Sequence, residues 1–472
     1  MKRTPGLLVI ISLSLAFAYP PLLRAQDDRL KSDAETKEKG PASLDSLLAG
    51  GPVWQMTPEQ IEKDFKKIGF RWLSNAKDRG LIRRQWEFVE QKNESSTESK
   101  SRFFVPEKQE LSLLDGKTSV EEASFDLKDG KLALLAIAIW NKGDSEELTM
   151  KGFKQKVADL TAALDTKLGV KGQDRGKDPK SASKAERIFW SAPQLAAQLE
   201  FSSTKADRVF QGEFIRLRVA PPTKQSLVGG GGGLESGGVV KVARSTLSAN
   251  VKKEANGDVF VRNVPMADQG EKGYCAVATC QRVFNYYGIP CDQHDMAQAA
   301  GTEAGGGTNP EDMESALRRL QGRFKVHVRD LVHWDPKDYQ RLISDYNRGA
   351  KKEGLKTYDS YDYVPLSLLN ADVLRTVRLK GSGFDRFKKS IKEYVDRGVP
   401  LLWGLQLGLY PENGQKAKQS GGGHMRLIIG YNDAKNEVIF SDSWGVGHEF
   451  KRMALPDAYA ATNGLYIVEP SN

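Results

Sequence analysis

The sequence predicts an α+β protein made of two units, with its chemistry confined to the second. Three observations carry this expectation. Each half mixes apolar stripes at about 3.6-residue spacing with alternating, strand-like runs. A stretch holding Gly229–Gly233 and Gly237-Gly238 separates the halves. All three cysteines and all five histidines fall after that stretch. At 472 residues the chain is too long for one ordinary core. Its 39% hydrophobic and 28% charged content suits a globular protein.

Residues 1–25 read as an export signal. Lys2-Arg3 precede the apolar run Leu7–Ala18, and Ala16-Phe17-Ala18 and Ala25 supply small-residue cleavage points. The run is too short for a ~30 Å hydrocarbon core. The expectation is therefore an exported protein, periplasmic, in the cell envelope or extracellular, with no stable membrane insertion once the signal is removed. Removal takes away Lys2, Arg3 and Arg24 and lowers the formal charge from +9 to +6. Those charges are scattered and not interleaved with aromatics, which argues against nucleic acid as a partner.

Residues 26–50 are charged and poor in large apolar groups, the composition of a flexible lead-in. The first domain is expected over 51–222. Thr57-Pro58-Glu59-Gln60 is a capping-box pattern ahead of Ile61, Phe65 and Ile68. Residues 92–101 read as loop. Ala123, Phe125 and Leu127 alternate with polar residues, Asp129-Gly130 turns the chain, and Leu132–Trp140 returns as a strand. Phe153, Val157, Leu160, Leu164 and Leu168 form a helical stripe ended by Gly169. Lys171–Lys184 reads as polar linker, and strands follow at 187–190, 195–201 and 213–219.

Residues 223–258 read as interdomain linker and 259–472 as the second domain. There a helix over 275–287 buries Ala276, Thr279, Cys280, Val283 and Tyr287, with Gly288 as its stop. Asn309-Pro310 opens another through Leu320, and Phe324, Val326 and Val328 alternate as a strand. Residues 331–380 form an insertion of helices and loop containing Tyr358, Tyr361 and Tyr363. A helix carries Phe384, Phe387, Ile391, Tyr394 and Val395, and strands follow at 399–407, 424–431, 436–442 and 464–468. Helices first and an antiparallel sheet afterwards is again α+β.

The candidate chemistry rests on four residues in chain order. Cys275 opens a helix, where backbone N–H groups and the helix dipole favour a thiolate. His424 opens a strand, where an imidazolium would stabilise that thiolate further. Asp442 ends the adjoining strand, close to His424 if the two strands pair as a hairpin, and would orient the ring. Gln269, six positions before Cys275, would join the Cys275 N–H in donating to an oxyanion. His448 is a rival base. His294, His327 and His333 read as structural, and Trp444 as either a cover over the His–Asp contact or a plain core residue. Cys280 and Cys291 either bridge or remain two buried thiols. There are no CxxC pairs or His-rich tracts, so no metal or other cofactor is expected.

These segments carry a resemblance. Val264–Thr279, Gly421–Tyr431 and Phe440–Gly445 are similar to segments of papain-like cysteine peptidases, closest to the double-glycine leader peptidase branch. It covers residues 259 to 470. It implies a Cys275–His424–Asp442 triad, Gln269 in the oxyanion hole, and peptide or protein substrates. Papain carries Asn where this chain has Asp442, whereas leader peptidases use Asp. The expectation is an exported cysteine peptidase. The alternatives are a transglutaminase-like acyl transferase and a catalytically silent peptide-binding scaffold. Because double-glycine peptidases cut after Gly-Gly, self-processing at Gly237-Gly238 in the linker is a further expectation.

Overall fold

The computed structural model describes residues 40–471, apart from 76–79, 85, 92–100, 107–108, 145, 178–182, 184, 207–208, 223–241, 271–272, 290, 303–307, 309, 334, 363 and 414–421. The expected signal, most of the lead-in and the glycine-rich part of the linker lie outside the described residues. The architecture is mixed α+β. Among the described residues no helix is long and apolar enough to cross a membrane.

The capping box forms at α1 (Pro58–Phe65). Thr57 Oγ1 accepts the Gln60 N–H at 3.3 Å, and the Thr57 N–H donates to Gln60 Oε1 at 2.9 Å. The chain ahead of it corrects the lead-in expected to extend to residue 50. Ala42–Ser43 pairs with Leu111–Leu113, and Leu44, Leu47 and Leu48 are buried. Leu44, Leu47 and Leu48 stand at helical spacing, but the stripe is a single turn long and only long-range packing covers it.

Eight strands follow: β1 (Arg71–Trp72), β2 (Leu81–Arg84), β3 (Glu122–Lys128), β4 (Lys131–Asn141), β5 (Gln173–Lys177), β6 (Glu186–Ser191), β7 (Ala196–Ala206) and β8 (Val209–Ala220). They form one sheet in the order β5-β6-β7-β8-β4-β3-β2-β1. Asp129 (φ 51°) and Gly130 (φ 69°) take left-handed conformations in the β3–β4 turn. β5 corrects the polar linker expected over Lys171–Lys184: it is an edge strand with every side chain exposed, so burial leaves no alternation to read. α2 (Met150–Leu168) presents Phe153, Val157, Leu160, Leu164 and Leu168 to the core under this sheet. Each such buried side chain contributes about 1.5–3 kcal/mol relative to exposure. The other side of β7 and β8 is polar yet also buried, through Gln198, Glu200, Ser202, Arg216 and Arg218.

The second sheet contains β9 (Val251–Lys253), β10 (Asp258–Val261), β11 (Val326–Val332), β12 (Leu401–Leu407), β13 (Gly422–Asn432), β14 (Glu437–Ser441), β15 (Lys451–Ala454) and β16 (Thr462–Pro470). Its antiparallel order is β9-β10-β13-β12-β16-β11, with β14 on β13 and β15 on β14. Its start corrects the linker expected over 223–258. A 3-10 segment over Arg244–Asn250 buries Leu247, and β9 and β10 precede or include residue 258. Gly398, at φ 76°, passes so close to this segment that a Cβ would lie 2.0 Å from the Leu247 carbonyl oxygen.

Helices α3 (Cys275–Tyr286), α4 (Gln293–Ala300), α5 (Pro310–Phe324) and α8 (Gly383–Asp396) pack with this sheet in one apolar core. The insertion supplies α6 (Pro336–Lys352) and α7 (Ala371–Arg378), which share a small core of Leu342, Ile343, Tyr346 and Leu374. It is anchored by Arg375 to Asp457 at 2.7 Å, on α9 (Leu455–Ala461), and by Tyr410 Oη to the Ala371 carbonyl at 2.7 Å. β15 and α9 had no expectation from sequence.

Candidate active site

Gly270 (φ 65°) and Gly273 (φ 72°) let the chain turn sharply into α3, whose first residue is Cys275. The N-cap residue, Tyr274, makes no side-chain cap. Two turns further along α3, Arg282 is fully buried and fixes the helix to the sheet. Its Nε donates to the Pro265 carbonyl at 2.7 Å, one terminal nitrogen to the Asp442 carbonyl at 2.9 Å, and the other to Ser441 Oγ at 2.5 Å. Burial pushes its guanidinium down to about 10.

His424 sits near the start of β13, opposite Leu405 of β12. β13 and β14 pair as the expected hairpin, with Leu427 opposite Ser441, so Asp442 emerges beside His424. His424 Nε2 lies 2.6 Å from Asp442 Oδ1. That contact leaves Nδ1 as the ring nitrogen available to the thiol. Burial pushes the Cys275 thiol up, but hydrogen bonding and charge from the His424 imidazole, with the Met425 and Ala276 N–H groups, bring it below its ordinary value. Burial pulls the imidazole down, and the Asp442 carboxylate and Cys275 outweigh it, so His424 stays raised.

Asp442 is wholly buried and opposed by cations. Arg426 Nε lies 2.9 Å and Lys451 Nζ 3.5 Å from its Oδ2. Burial alone would raise this carboxyl; Arg426, His424 and Lys451 hold it well below the carboxylate range. Arg426 also pairs with buried Glu412 at 2.6 Å. Trp444 stacks on His424 with ring centroids 4.7 Å apart and planes 27° from parallel, while Lys451 Nζ sits 4.5 Å from the Trp444 centroid. Arg426 and Lys451 had no role from sequence. The signal for Arg426 was its place two residues after His424 on a strand, which puts both side chains on one face; nothing local marked Lys451.

Gln269 is buried beside the Asp442 turn. Its N–H donates to the Ser443 carbonyl at 2.9 Å, and its Oε1 accepts from Ser443 Oγ at 2.8 Å. This orients the amide and leaves Nε2 with no partner among the described residues. The structure thus places Cys275 against His424, His424 against Asp442, and Gln269 against Ser443, the residue after Asp442.

His448 does not take the base position. Its carbonyl accepts the Asp442 N–H at 2.9 Å, and its ring stands edge-on to Trp444. His294 is buried on α4, whereas His327 and His333 are exposed on or beside β11. The three cysteines are free thiols, so Cys280 and Cys291 do not bridge. Burial pushes both up with no imidazole to offset it, whereas Cys275 ends below its ordinary value. Among the described residues Glu314, Asp330 and His333 form one cluster that could offer ligand atoms to a metal, all within 4.8 Å of one another. Arg318 already pairs with Glu314 at 2.6 Å.

A helix-borne thiol, a sheet-borne imidazole and a buried carboxylate come together in the segments that carry the resemblance to papain-like cysteine peptidases. Residues 261–467 match the model of the Peptidase_C39 like family. The match supports a cysteine peptidase of the C39 type, a hydrolase, for the C-terminal region. No curated protein matches the chain.

Proposed function

We propose that the protein is an exported cysteine peptidase that uses Cys275 as nucleophile, His424 as general acid and base, Asp442 as the partner of the imidazolium, and Gln269 as an oxyanion donor. The observation that carries the reading is the His424 ring, held at 2.6 Å by Asp442 on one nitrogen with the lowered Cys275 thiol at its other side. The Cys275 thiolate adds to a peptide carbonyl, and the oxygen becomes an oxyanion facing the Cys275 N–H and Gln269 Nε2. His424 gives its proton to the leaving amine as the C–N bond breaks. Water, losing a proton to His424, then attacks the thioester and releases the acid.

Export is supported by Lys2-Arg3 and the apolar run behind them, and mass analysis of the mature N-terminus tests it. A separate N-terminal domain is supported by the two large apolar cores, which share no residue.

Iodoacetamide labelling at pH 6 tests the catalytic reading. A free thiol is about 1% or less thiolate there, so Cys275 should label far faster than free cysteine, and Cys275→Ala should abolish the labelling. Labelling at the free-cysteine rate contradicts the reading.

A further inference from the structure

The N-terminal sheet, outside the matched segment, touches α4, the helix that follows the cysteine helix. On the buried polar side of the N-terminal sheet, Phe214, Arg216 and Arg218 lie at alternate positions of β8, beside Ser202 and Glu200 of β7. A buried arginine on a sheet face needs carboxylates from a partner, and α4 supplies them at three-residue spacing. Its N-cap Asp292 lies 3.0 Å and Asp295 3.2 Å from the Arg216 guanidinium, whose Nε pairs with Glu200. One turn on, Gln298 Oε1 accepts from Ser202 Oγ at 2.8 Å. Arg216, Glu200 and Asp295 are 4%, 2% and 1% exposed, the burial of a core rather than of a casual surface contact.

From this cluster the contacts run through His294 to Tyr274. Asp292 Oδ1 accepts the His294 N–H at 2.8 Å. The His294 ring meets Tyr274 edge-on at 5.6 Å, and Phe214 flanks it at 6.3 Å. Tyr274 is the N-cap of α3 and makes no side-chain cap hydrogen bond, so its position is set by packing on His294, which Phe214 backs from β8. A second contact joins the N-terminal region to the loop after Asp442: the Asn75 N–H donates to Glu449 Oε1 at 2.6 Å.

We infer that Arg216 and Phe214 are positioning residues for the active site: the N-terminal sheet clamps α4 and Tyr274, and thereby sets where the α3 start presents Cys275 to His424. This rests on Cys275 being the nucleophile. A tilt of the α3 start moves the thiol relative to both the Ala276 N–H and the imidazole, so the pH profile of the thiol reports the clamp.

The test is the rate of Cys275 alkylation by iodoacetamide between pH 5 and 9, read by peptide mapping on the full chain. Arg216→Met should label about tenfold more slowly at pH 6, one pKa unit of lost thiolate preference. Arg216→Lys should restore most of that rate. Phe214→Leu removes the ring beside His294 without stranding a buried charge, should slow labelling by about threefold, and decides the matter if Arg216→Met does not fold. A fast wild type with profiles unmoved in the folded variants overturns the clamp alone. A wild type that labels at the free-cysteine rate overturns the reading of Cys275 and the clamp with it.

Discussion

Two buried charge clusters in this chain are built with opposite signs. Around Asp442 one carboxylate is met by His424, Arg426 and Lys451, with Glu412 balancing Arg426. Around Arg216 one guanidinium is met by Glu200, Asp292 and Asp295, with Arg218 beside Glu200. The first lies within one sheet and its turn; the second joins strands of the N-terminal sheet to a helix of the other region. The cation-rich cluster keeps Asp442 ionised far into acid, so it favours an imidazolium on His424. The anion-rich cluster holds one carboxylate more than its arginines balance, and Asp295 is raised, mainly by burial. One cluster fixes a charge beside His424, which the proposed chemistry uses; the other fixes two surfaces together.

The largest effect should come from Arg426→Met. It strands Asp442 Oδ2 and Glu412 without their buried guanidinium, and should cost about 3–5 kcal/mol in urea denaturation. A loss below about 1 kcal/mol would show that Lys451 alone balances the cluster. Asp442→Asn keeps the shape and removes the charge facing His424. Labelling of Cys275 at pH 6 should fall by about ten- to a hundredfold; an unchanged rate would remove Asp442 from the account.

The pH dependence of the two clusters has the same direction and a different window. His424 is raised above 6.5, so its pairing with Asp442 stabilises fully below pH 6.5 and is lost as pH rises through the raised value. Urea midpoints of the wild type should therefore decline above pH 6.5, and those of His424→Gln should lack that decline. Equal slopes would contradict the pairing. The smallest effect belongs to Asp295→Asn, which removes the surplus negative charge while keeping a polar group against Arg216. Its stability at pH 7 should stay within about 1 kcal/mol of wild type. Asp295 is raised above 3.8, so its contribution is complete below 3.8 and lost as pH rises through the raised value, a slope the variant should lack.

The sequence made the local parts of both clusters legible and hid the long-range ones. The cysteine at a helix start and the hairpin that brings Asp442 beside His424 follow from short-range spacing and a turn. Lys451 comes from a short strand nine positions past Asp442, and Glu412 precedes a segment outside the described residues, so no period marks either. Arg216 was invisible as a clamp because alternation on β8 shows only that one face differs from the other. That the polar face is covered depends on a helix some 80 positions away. The misplaced boundaries have the same cause. Residues 244–258 carry few apolar groups, and β9 shows charged Lys252 and Lys253 to solvent at a sheet edge, so composition alone reads them as linker; in 42–50 the apolar stripe Leu44, Leu47 and Leu48 is too short to stand out from the charged stretch before it.

The most direct test of the central claim is a pH titration of His424 by nuclear magnetic resonance of nitrogen-labelled histidine in the wild-type protein. The account predicts an imidazole that remains protonated above pH 6.5, with Nε2 carrying its proton toward Asp442. An imidazole that is neutral at pH 6 would contradict it.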